Sequence, residues 1–571
     1  MEEKEYLEHL NQLWEKSWPA HLPRKPIYPL GEIPLTDYLR EWARQTPDKA
    51  CLIFYGTELT FKDLDDLSNR FAAFLDANSL QKGDRVAVFL PNCPQFLIAF
   101  YGILKLGCVH VPVNPMFKEH EFQYEINDTG AKAIVALDHL FPIVQSVKDQ
   151  TSLQWVMVTR FSDFLPKEPT IPIPSTLLDP GPDCPGAMDM MSTLAEQDPT
   201  YLKVDVGLDN LAALNYTGGT TGLPKGCEHT QRDMIYTAGC AVATGAREEG
   251  PVANPVSLGY FPIFWIAGEI GGVIAPIFSG TTLVQLARWD VEAALTAIDR
   301  YQVTAMSGVV DNYLEIMEYP DPGKYNLKSI KTAGCSSFIK KLTPEYRRRW
   351  KELTGSILKE SSYGMTETHT VDTFTNGMQT NDRDLKSKPV FCGLPMPGTF
   401  FKIVGFDTGD LVPLGQEGEI VIKTPSLMKA YWNKPEETQK SIKEGWLYTG
   451  DIGMLDEEGY LHFLGRRKEM LKMRGMSVFP SEIETLLGRH PAVAGSAVLG
   501  KSDPEKGEIP VAFIKLNPDD AGKTSAAEIT DWCKKNMATY KVPVIKIVKE
   551  FPLTATGKIK KEELRKDLEK D

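Results

Sequence analysis

An α/β architecture with parallel sheets, spread over at least two domains, is what this sequence predicts. Three observations carry that expectation. Strand-like apolar runs alternate with helical segments along most of the chain, the alternation changes character after a charged run near residue 466, and 571 residues exceed what one hydrophobic core organises.

Leu7, Leu10, Leu13 and Trp14 fall at helical spacing, so the chain should open on an amphipathic helix. Docking on its own protein is the first expectation for that stripe, and weak association with a membrane surface is the alternative. Thr60 should cap the next clear helix, where Phe61, Leu64, Leu67, Phe71 and Phe74 mark one face. A short strand over Asp84–Leu90 then precedes a helical stretch reaching Gly107. Further β-type runs lie at Ala133–Leu137, Trp155–Thr159, Leu211–Tyr216, Thr282–Leu286, Val303–Ser307 and Ser329–Ala333. Helical segments between strands are the crossovers that parallel pairing requires. Pro166 to Pro199, rich in Pro, Asp and Ser, reads as a long surface connection.

After a strand at Tyr460–Leu464 comes the charged run Gly465-Arg-Arg-Lys-Glu469. A boundary there predicts a large domain over 1–465 and a smaller one over 466–571, with a hinge near Lys468. The smaller unit should hold a helix near Glu482–Leu487, strands near Ala494–Leu499, Val511–Leu516 and Ile545–Val548, and a charged helix from about Lys560.

Composition narrows the partners. Apolar residues make up 42% and charged ones 24%, an ordinary globular mixture. A net charge of −13 argues against broad nucleic-acid binding, which needs basic surface. The start Met1-Glu2-Glu3-Lys4-Glu5 is wrong for a signal peptide, and no run of about 18 apolar residues reads as a membrane span. Nine scattered cysteines without a Cys-x-x-Cys pair suit reduced thiols, so a cytoplasmic protein is expected. Nine histidines without ligand spacing give a zinc site no support.

The most informative segment is Tyr216-Thr-Gly-Gly-Thr-Thr-Gly-Leu-Pro-Lys-Gly226. It follows a strand and packs four glycines, three threonines and one lysine into eleven residues. Gly218, Gly219 and Gly222 let the backbone approach a ligand, Thr217, Thr220 and Thr221 add hydroxyls, and Lys225 adds charge. Such a loop can cradle polyphosphate. It is not a Walker A loop, because Pro224 precedes the lysine and Gly226 follows it, which opposes immediate helix formation.

With that segment the chain resembles the adenylate-forming enzymes, which include acyl-CoA synthetases, peptide-synthetase adenylation domains and beetle luciferases. Their signature is Tyr-Thr-Ser-Gly-Thr-Thr-Gly-x-Pro-Lys-Gly, and this sequence departs from it once, at Gly218. Four more segments resemble the family in order: Thr332-Ala-Gly-Cys-Ser-Ser337, Ser362-Tyr-Gly-Met-Thr-Glu-Thr368, Trp446-Leu-Tyr-Thr-Gly-Asp451 and Pro552-Leu-Thr-Ala-Thr-Gly-Lys-Ile559. The resemblance implies a large N-terminal domain of stacked α/β sheets with a β-barrel-like subdomain, and a small mobile α+β C-terminal domain. It implies ATP and coenzyme A as co-substrates, Mg2+ as cofactor and a carboxylic acid as substrate.

By resemblance, Tyr363 would stack on adenine beside Gly364, and Gly334 and Cys335 would line the nucleotide. Thr366 would contact the α-phosphate, and Glu367 with Thr217 would hold Mg2+. Asp451 and Arg466 would fix the ribose, and Lys558 would be the adenylation lysine, acting with Lys225. Lys468 matches the family's pivot, Lys472 would meet nucleotide in one of two states, and Gly475 lies where pantetheine would pass. Trp265 replaces a histidine usual in relatives, and is expected as wall or gate of an acyl pocket with Gly308, Val309 and Val310 nearby; plain core packing is the competing reading. The expectation is therefore an AMP-forming synthetase of medium- or long-chain acyl-CoA. Short-chain or aromatic acids, transfer to a carrier protein, luciferase-like oxidation and a non-catalytic nucleotide-binding regulator remain open alternatives.

Overall fold

The computed structural model describes every residue except 1, 201, 218–222, 361–362, 388–389, 474–475, 504–506, 555–556 and 569–571, and the side chains of 472, 476 and 477. Among the described residues, four sheets organise the chain. The first runs, edge to edge, through Leu358–Glu360, Thr332–Ser336, Ala305–Val309, Val256–Gly259, Thr282–Gln285, Ala50–Phe54 and Thr57–Thr60. All but the last strand are parallel. The second runs through Met188–Asp189, Trp155–Thr159, Ala133–Leu137, Arg85–Phe89, Val109–Pro112, Leu211–Tyr216 and Gly226–Thr230. It too is parallel until its final antiparallel hairpin.

One core joins these two sheets, with Leu52, Leu283 and Met306 from the first and Val86 and Val88 from the second. The helix Pro94–Lys105 is buried along its whole length, and its Tyr101 hydroxyl donates to the Val273 carbonyl at 2.9 Å. Even its Lys105 is buried, held by Asp65 at 2.6 Å, and burial lowers that ammonium to about 8. The helix Phe61–Ala77 beside it begins as expected, with Thr60 and Asp63 exchanging reciprocal cap bonds.

The third sheet is antiparallel, ordered Thr373–Phe374, Val390–Pro395, Leu461–Arg466, Trp446–Leu455, Gly418–Lys423 and Phe400–Val404. Register shifts between Phe391 and Gly393, Glu419 and Val421, and Ile452 and Gly453 are bulges that bend the strands and curl the sheet into a half-barrel. The first helix, Glu3–Ser17, packs on it. Tyr6, Leu10 and Trp14 are buried there, and the Trp14 indole donates to the Gly459 carbonyl at 2.8 Å. The apolar stripe is thus spent on the protein itself. Among the described residues no helix is long and apolar enough to cross a membrane.

The fourth sheet has the fewest strands among the described residues: Met476–Val478, Leu471–Met473, Gly507–Leu516 and Val493–Asp503, with Val544–Val548 parallel to Gly507–Leu516. Helices Pro480–Leu487, Ala526–Asn536 and Lys561–Leu568 accompany it.

Two expected strands shift. The runs read at Val303–Ser307 and Ser329–Ala333 pair instead over Ala305–Val309 and Thr332–Ser336, while Leu327–Ser329 closes into a 3-10 turn. Pairing partners, not local apolarity, set these strand ends, and they carry Gly308 and Gly334 into the sheet. The connection 166–199 also holds more structure than its composition suggests. It carries the edge strand Met188–Asp189 and a helix, Met190–Ala195, capped by the Asp189 side chain.

Candidate active site

The glycine-threonine loop springs from the hairpin of Leu211–Tyr216 with Gly226–Thr230, where Tyr216 faces Gly226. Gly218, Gly219, Thr220, Thr221 and Gly222 lie outside the described residues. Thr217 N–H donates to the Lys225 carbonyl at 2.9 Å, and Lys225 N–H donates to Thr217 Oγ1 at 3.3 Å. The Tyr124 hydroxyl donates to the Pro224 carbonyl at 2.9 Å. Tyr216 donates to Asp128 at 2.7 Å, and Lys434 closes on the same carboxylate at 3.0 Å. The loop base is pinned from both strands.

The segment 428–432 zips onto this hairpin. Glu228 N–H donates to Ala430 at 3.0 Å, Lys429 N–H to Glu228 at 3.1 Å and Trp432 N–H to Gly226 at 2.8 Å. It delivers Tyr431, buried, into the site. Lys225 Nζ lies 3.9 Å from the Tyr431 ring centroid, and the Tyr431 hydroxyl donates to Glu367 Oε1 at 2.7 Å. Burial first, and the Glu367 charge second, raise the Tyr431 hydroxyl, so it stays a donor.

Glu367 and Thr366 sit on a 3-10 turn, Thr366–Thr368, which reverses through His369 at φ 58° and Thr370 at φ 84°. The turn is tight enough that Gly364 is required, since a Cβ there would lie 1.4 Å from the Thr370 carbonyl oxygen. His229 Nε2 lies 2.7 Å from the Thr366 carbonyl oxygen, and His369 Nδ1 lies 3.1 Å from Thr237 Oγ1. Burial, with His229 next, depresses His369 well below its ordinary value, so it is neutral. Both imidazoles are buried in the scaffold of the turn.

Across the cleft, Asp451 and Arg466 face each other on neighbouring strands of the half-barrel. The Tyr363 hydroxyl donates to Asp451 Oδ2 at 2.7 Å, and Arg466 Nε lies 3.2 Å from Oδ1. That approach is an ion pair without hydrogen-bond alignment, leaving Oδ1 buried and short of a donor. Burial pushes the Asp451 carboxyl up, while Arg466 and Tyr363 oppose the shift. An under-donated buried carboxylate oxygen is suited to a ligand hydroxyl. The ring of Tyr363 leans on Phe463, 5.9 Å away.

Gly334 and Cys335 lie in register with Ser307 and Gly308. The Gly334 carbonyl accepts from the Tyr313 hydroxyl, and burial raises the Cys335 thiol well above its usual range, so its sulfur is inert. A side chain at Gly308 would collide with the Tyr260 hydroxyl, 1.9 Å from a Cβ. Val309 is half-buried, whereas Val310 belongs to the main core. Trp265 is half-buried, which separates it from the fully packed core aromatics, and it precedes the helix Ile266–Glu269.

Lys558 comes from the opposite end of the sequence. Its turn is closed by Thr554 N–H to the Lys558 carbonyl at 2.7 Å and Lys558 N–H to Thr554 Oγ1 at 3.0 Å. The ammonium lies 5.3 Å from the Trp265 ring and 5.6 Å from Phe338. The residue is exposed to solvent, so the cleft is open here; the surrounding protein nonetheless lowers its pKa, with Arg466 adding repulsion and Asp451 opposing. The charges of Arg466 and Asp451 both act on Lys558. Lys468 lies in the 3-10 turn Arg467–Glu469 between the third and fourth sheets, and Lys472 on the strand that follows. Gly475 lies outside the described residues. Tyr431, Phe338 and Asp128 are members of the site that no motif announced.

Among the described residues no cluster of three or more His, Cys, Asp or Glu side chains could hold a metal alone. Glu367 and Thr217 offer only hard oxygens. A cation completing its shell with phosphate and water oxygens fits that set, which is the manner of Mg2+.

A family model described as "AMP-binding enzyme" matches residues 39–432, and one described as "AMP-binding enzyme C-terminal domain" matches 482–558. A long-chain-fatty-acid–CoA ligase of Bacillus subtilis (strain 168) is 35% identical over 555 residues, 96% of each chain. A 4-coumarate–CoA ligase of Pinus taeda is 30% identical, covering 94% of this chain and 95% of that one. Among solved structures, the anthranilate CoA ligase AuaEII in complex with anthranoyl-AMP superposes with a TM-score of 0.80 at 26% identity, covering 94% of this chain and 97% of that one.

Proposed function

The chain belongs to the AMP-binding enzyme family, and from that premise we propose that it is an AMP-forming fatty-acyl-CoA synthetase favouring medium or long chains. The observation that carries this reading is the buried, under-donated Asp451 Oδ1 beside Arg466, with the Tyr363 hydroxyl on the other carboxylate oxygen, a set suited to ribose hydroxyls. The nearly full-length match to a fatty-acid ligase supports the choice of acid.

The residues then divide the work. Asp451 accepts from ribose hydroxyls through its under-donated Oδ1, with Arg466 beside it, and Tyr363, Gly334 and Cys335 flank the base. Thr217, Lys225 and the loop between them hold the phosphates. Glu367 and Thr217 would hold Mg2+, which when bound neutralises phosphate charge. The substrate carboxylate oxygen attacks the α-phosphorus, a carboxylate–phosphorus bond forms, and the bond to pyrophosphate breaks. Lys225, Thr366 and Lys558 orient the groups and offset the charge. No general base is needed, because the carboxylate is ionised near neutral pH; His229 and His369 are engaged in holding the turn. In the second step the thiol sulfur of coenzyme A attacks the acyl carbonyl and AMP leaves. We assign the two steps to two placements of a domain over 466–571 against one over 1–465, pivoting at Lys468, with Lys472 and Gly475 serving the second.

AMP and pyrophosphate formation across a graded series of straight-chain acids, with and without coenzyme A, tests the proposal. Pyrophosphate exchange with medium or long chains, and AMP turnover that needs coenzyme A, are expected. Absence of exchange with every acid would overturn it. The similarity to 4-coumarate and anthranilate ligases favours a second reading, activation of aromatic acids, and preference for benzoates or hydroxycinnamates in the same series would select it.

A further inference from the structure

Tyr431 touches two groups assigned to different halves of the phosphate machinery. Its ring face lies 3.9 Å from the Lys225 ammonium, and its hydroxyl donates to Glu367 at 2.7 Å. The two contacts use different parts of one side chain and point to different partners. The backbone of each partner is held separately, which leaves their side chains to be steadied by Tyr431. Lys225 hangs from the loop tied to Thr217, and the Glu367 carbonyl accepts from Met428 N–H at 2.8 Å. Tyr431 is itself immobile: it is buried, its backbone bridges Cys227, and its N–H donates to Thr438 Oγ1 at 2.9 Å. A rigid aromatic between a flexible lysine and a carboxylate removes rotamer freedom from both.

We propose that Tyr431 is a positioning residue that sets the spacing between the phosphate-binding lysine and the metal-binding carboxylate, so that ATP and its divalent cation meet a preformed pair. The inference rests on the nucleotide reading of this site given above. The ring presents a π face to Lys225, which steadies an ammonium without neutralising it, as a carboxylate would. The hydroxyl occupies one carboxylate oxygen of Glu367 and leaves the other for the cation. Tyr431 touches neither substrate nor metal in this scheme. Its removal should therefore act on affinities and on the step that depends on the cation, and not on the choice of acid.

The two contacts can be separated by substitution. Tyr431→Phe keeps the ring and deletes the hydroxyl, and Tyr431→Leu deletes both. In the full chain, three quantities would be measured: binding of a fluorescent ATP analogue in EDTA, Mn2+ binding by electron paramagnetic resonance in the presence of ATP, and the thermal midpoint. The Phe variant should bind the metal-free nucleotide within about twofold of wild type while its Mn2+ affinity falls about tenfold, because Glu367 regains rotamer freedom that metal binding must then remove. The Leu variant should show that loss and, in addition, a several-fold loss of metal-free nucleotide affinity. Unchanged Mn2+ binding in the Phe variant would overturn the proposal, and because Phe is nearly isosteric that result stands even if the Leu variant fails to fold. Equal losses in both ligands and in thermal midpoint for both variants would also overturn it, showing a merely structural residue. Wild-type protein that bound no ATP would remove the nucleotide reading itself, a failure distinct from either.

Discussion

At the scale of single residues, Lys558 has an aromatic environment. Its ammonium faces Trp265 and Phe338 at 5.3 and 5.6 Å in an open cleft, and at exposed sites such contacts contribute about 0.5–1 kcal/mol each. Trp265 therefore has a role besides any acyl wall, and the two are separable. Trp265→Leu should lower the adenylation rate about threefold to fivefold for every acid, by removal of a cation–π contact, with Trp265→Phe closer to wild type. A defect that grows with chain length and vanishes for the shortest accepted acid would assign the ring to the pocket alone. The lysine also sets a pH limit. The protein around Lys558 and the nearby Arg466 lower its pKa below the ordinary 10.5, so the charged form is present below the shifted value and lost above it. Adenylation should fall on the alkaline side earlier than a free lysine would dictate, and Lys558→Arg, always charged, should remove that limb. A pH profile of pyrophosphate exchange decides between them. Lys558, Asp451 and Glu367 were legible in the sequence through the segments that resemble the family, since taken alone each reads as an ordinary loop or surface residue. Tyr431 and Phe338 were not, because what recruits them is the pairing of distant segments, such as the bridge between Cys227 and Tyr431, and no local pattern reports that.

At the scale of elements, the seam between the first two sheets holds an unusual polar pair. His110, on Val109–Pro112, and Glu269, ending the helix Ile266–Glu269, are both fully buried with Nε2 and Oε2 3.5 Å apart. Asn215 donates to the same Glu269 oxygen at 3.3 Å. Neither imidazole nitrogen has a hydrogen-bond partner among the described residues, so the pair depends on its own proximity. Removing one member strands the other. Glu269→Leu should destabilise the protein by about 1–3 kcal/mol, and adding His110→Leu should recover much of that loss, because replacing both partners is far milder than orphaning one. Urea unfolding of the two single variants and the double variant gives the coupling; additive losses would show that the pair does not act as a unit. Sequence periodicity found the elements that frame this seam, including the helix capped by Thr60 and the strand at Arg85–Phe89. It misplaced the strands at Ala305–Val309 and Thr332–Ser336 by two or three residues, since Gly308 and Gly334 carry no apolar signal and are drawn in by their neighbours.

At the scale of the whole molecule, the contrast between strong and slight connections matters most. The chain passes from the third sheet to the fourth through the 3-10 turn Arg467–Glu469, and across that joint Phe479 packs with Ile452 and Leu464 in a small buried cluster. Lys561 clasps that turn and the next helix at once, through Glu469 at 2.9 Å and Glu484 at 3.0 Å, so the last helix is bound to its own unit. The charged run stands out in the sequence because it interrupts an alternating pattern. The curl of the third sheet does not, because it arises from bulges that depend on cross-strand register. If the small unit pivots at Lys468 between the two steps, stiffening the turn that carries it should separate them. Proline fits the first helical position, and here the residue before that position, Arg466, is already extended (φ −92°, ψ 137°), so Arg467→Pro should fold in the arrangement seen here and stiffen that turn. It should resist any other backbone angle. Adenylation, followed by pyrophosphate exchange, should stay within about threefold of wild type, while thioester formation from supplied acyl-adenylate and coenzyme A should fall at least tenfold, about 1.4 kcal/mol or more on the barrier. Equal rates in both half-reactions would place the pivot elsewhere or show that the arrangement seen here already serves both steps.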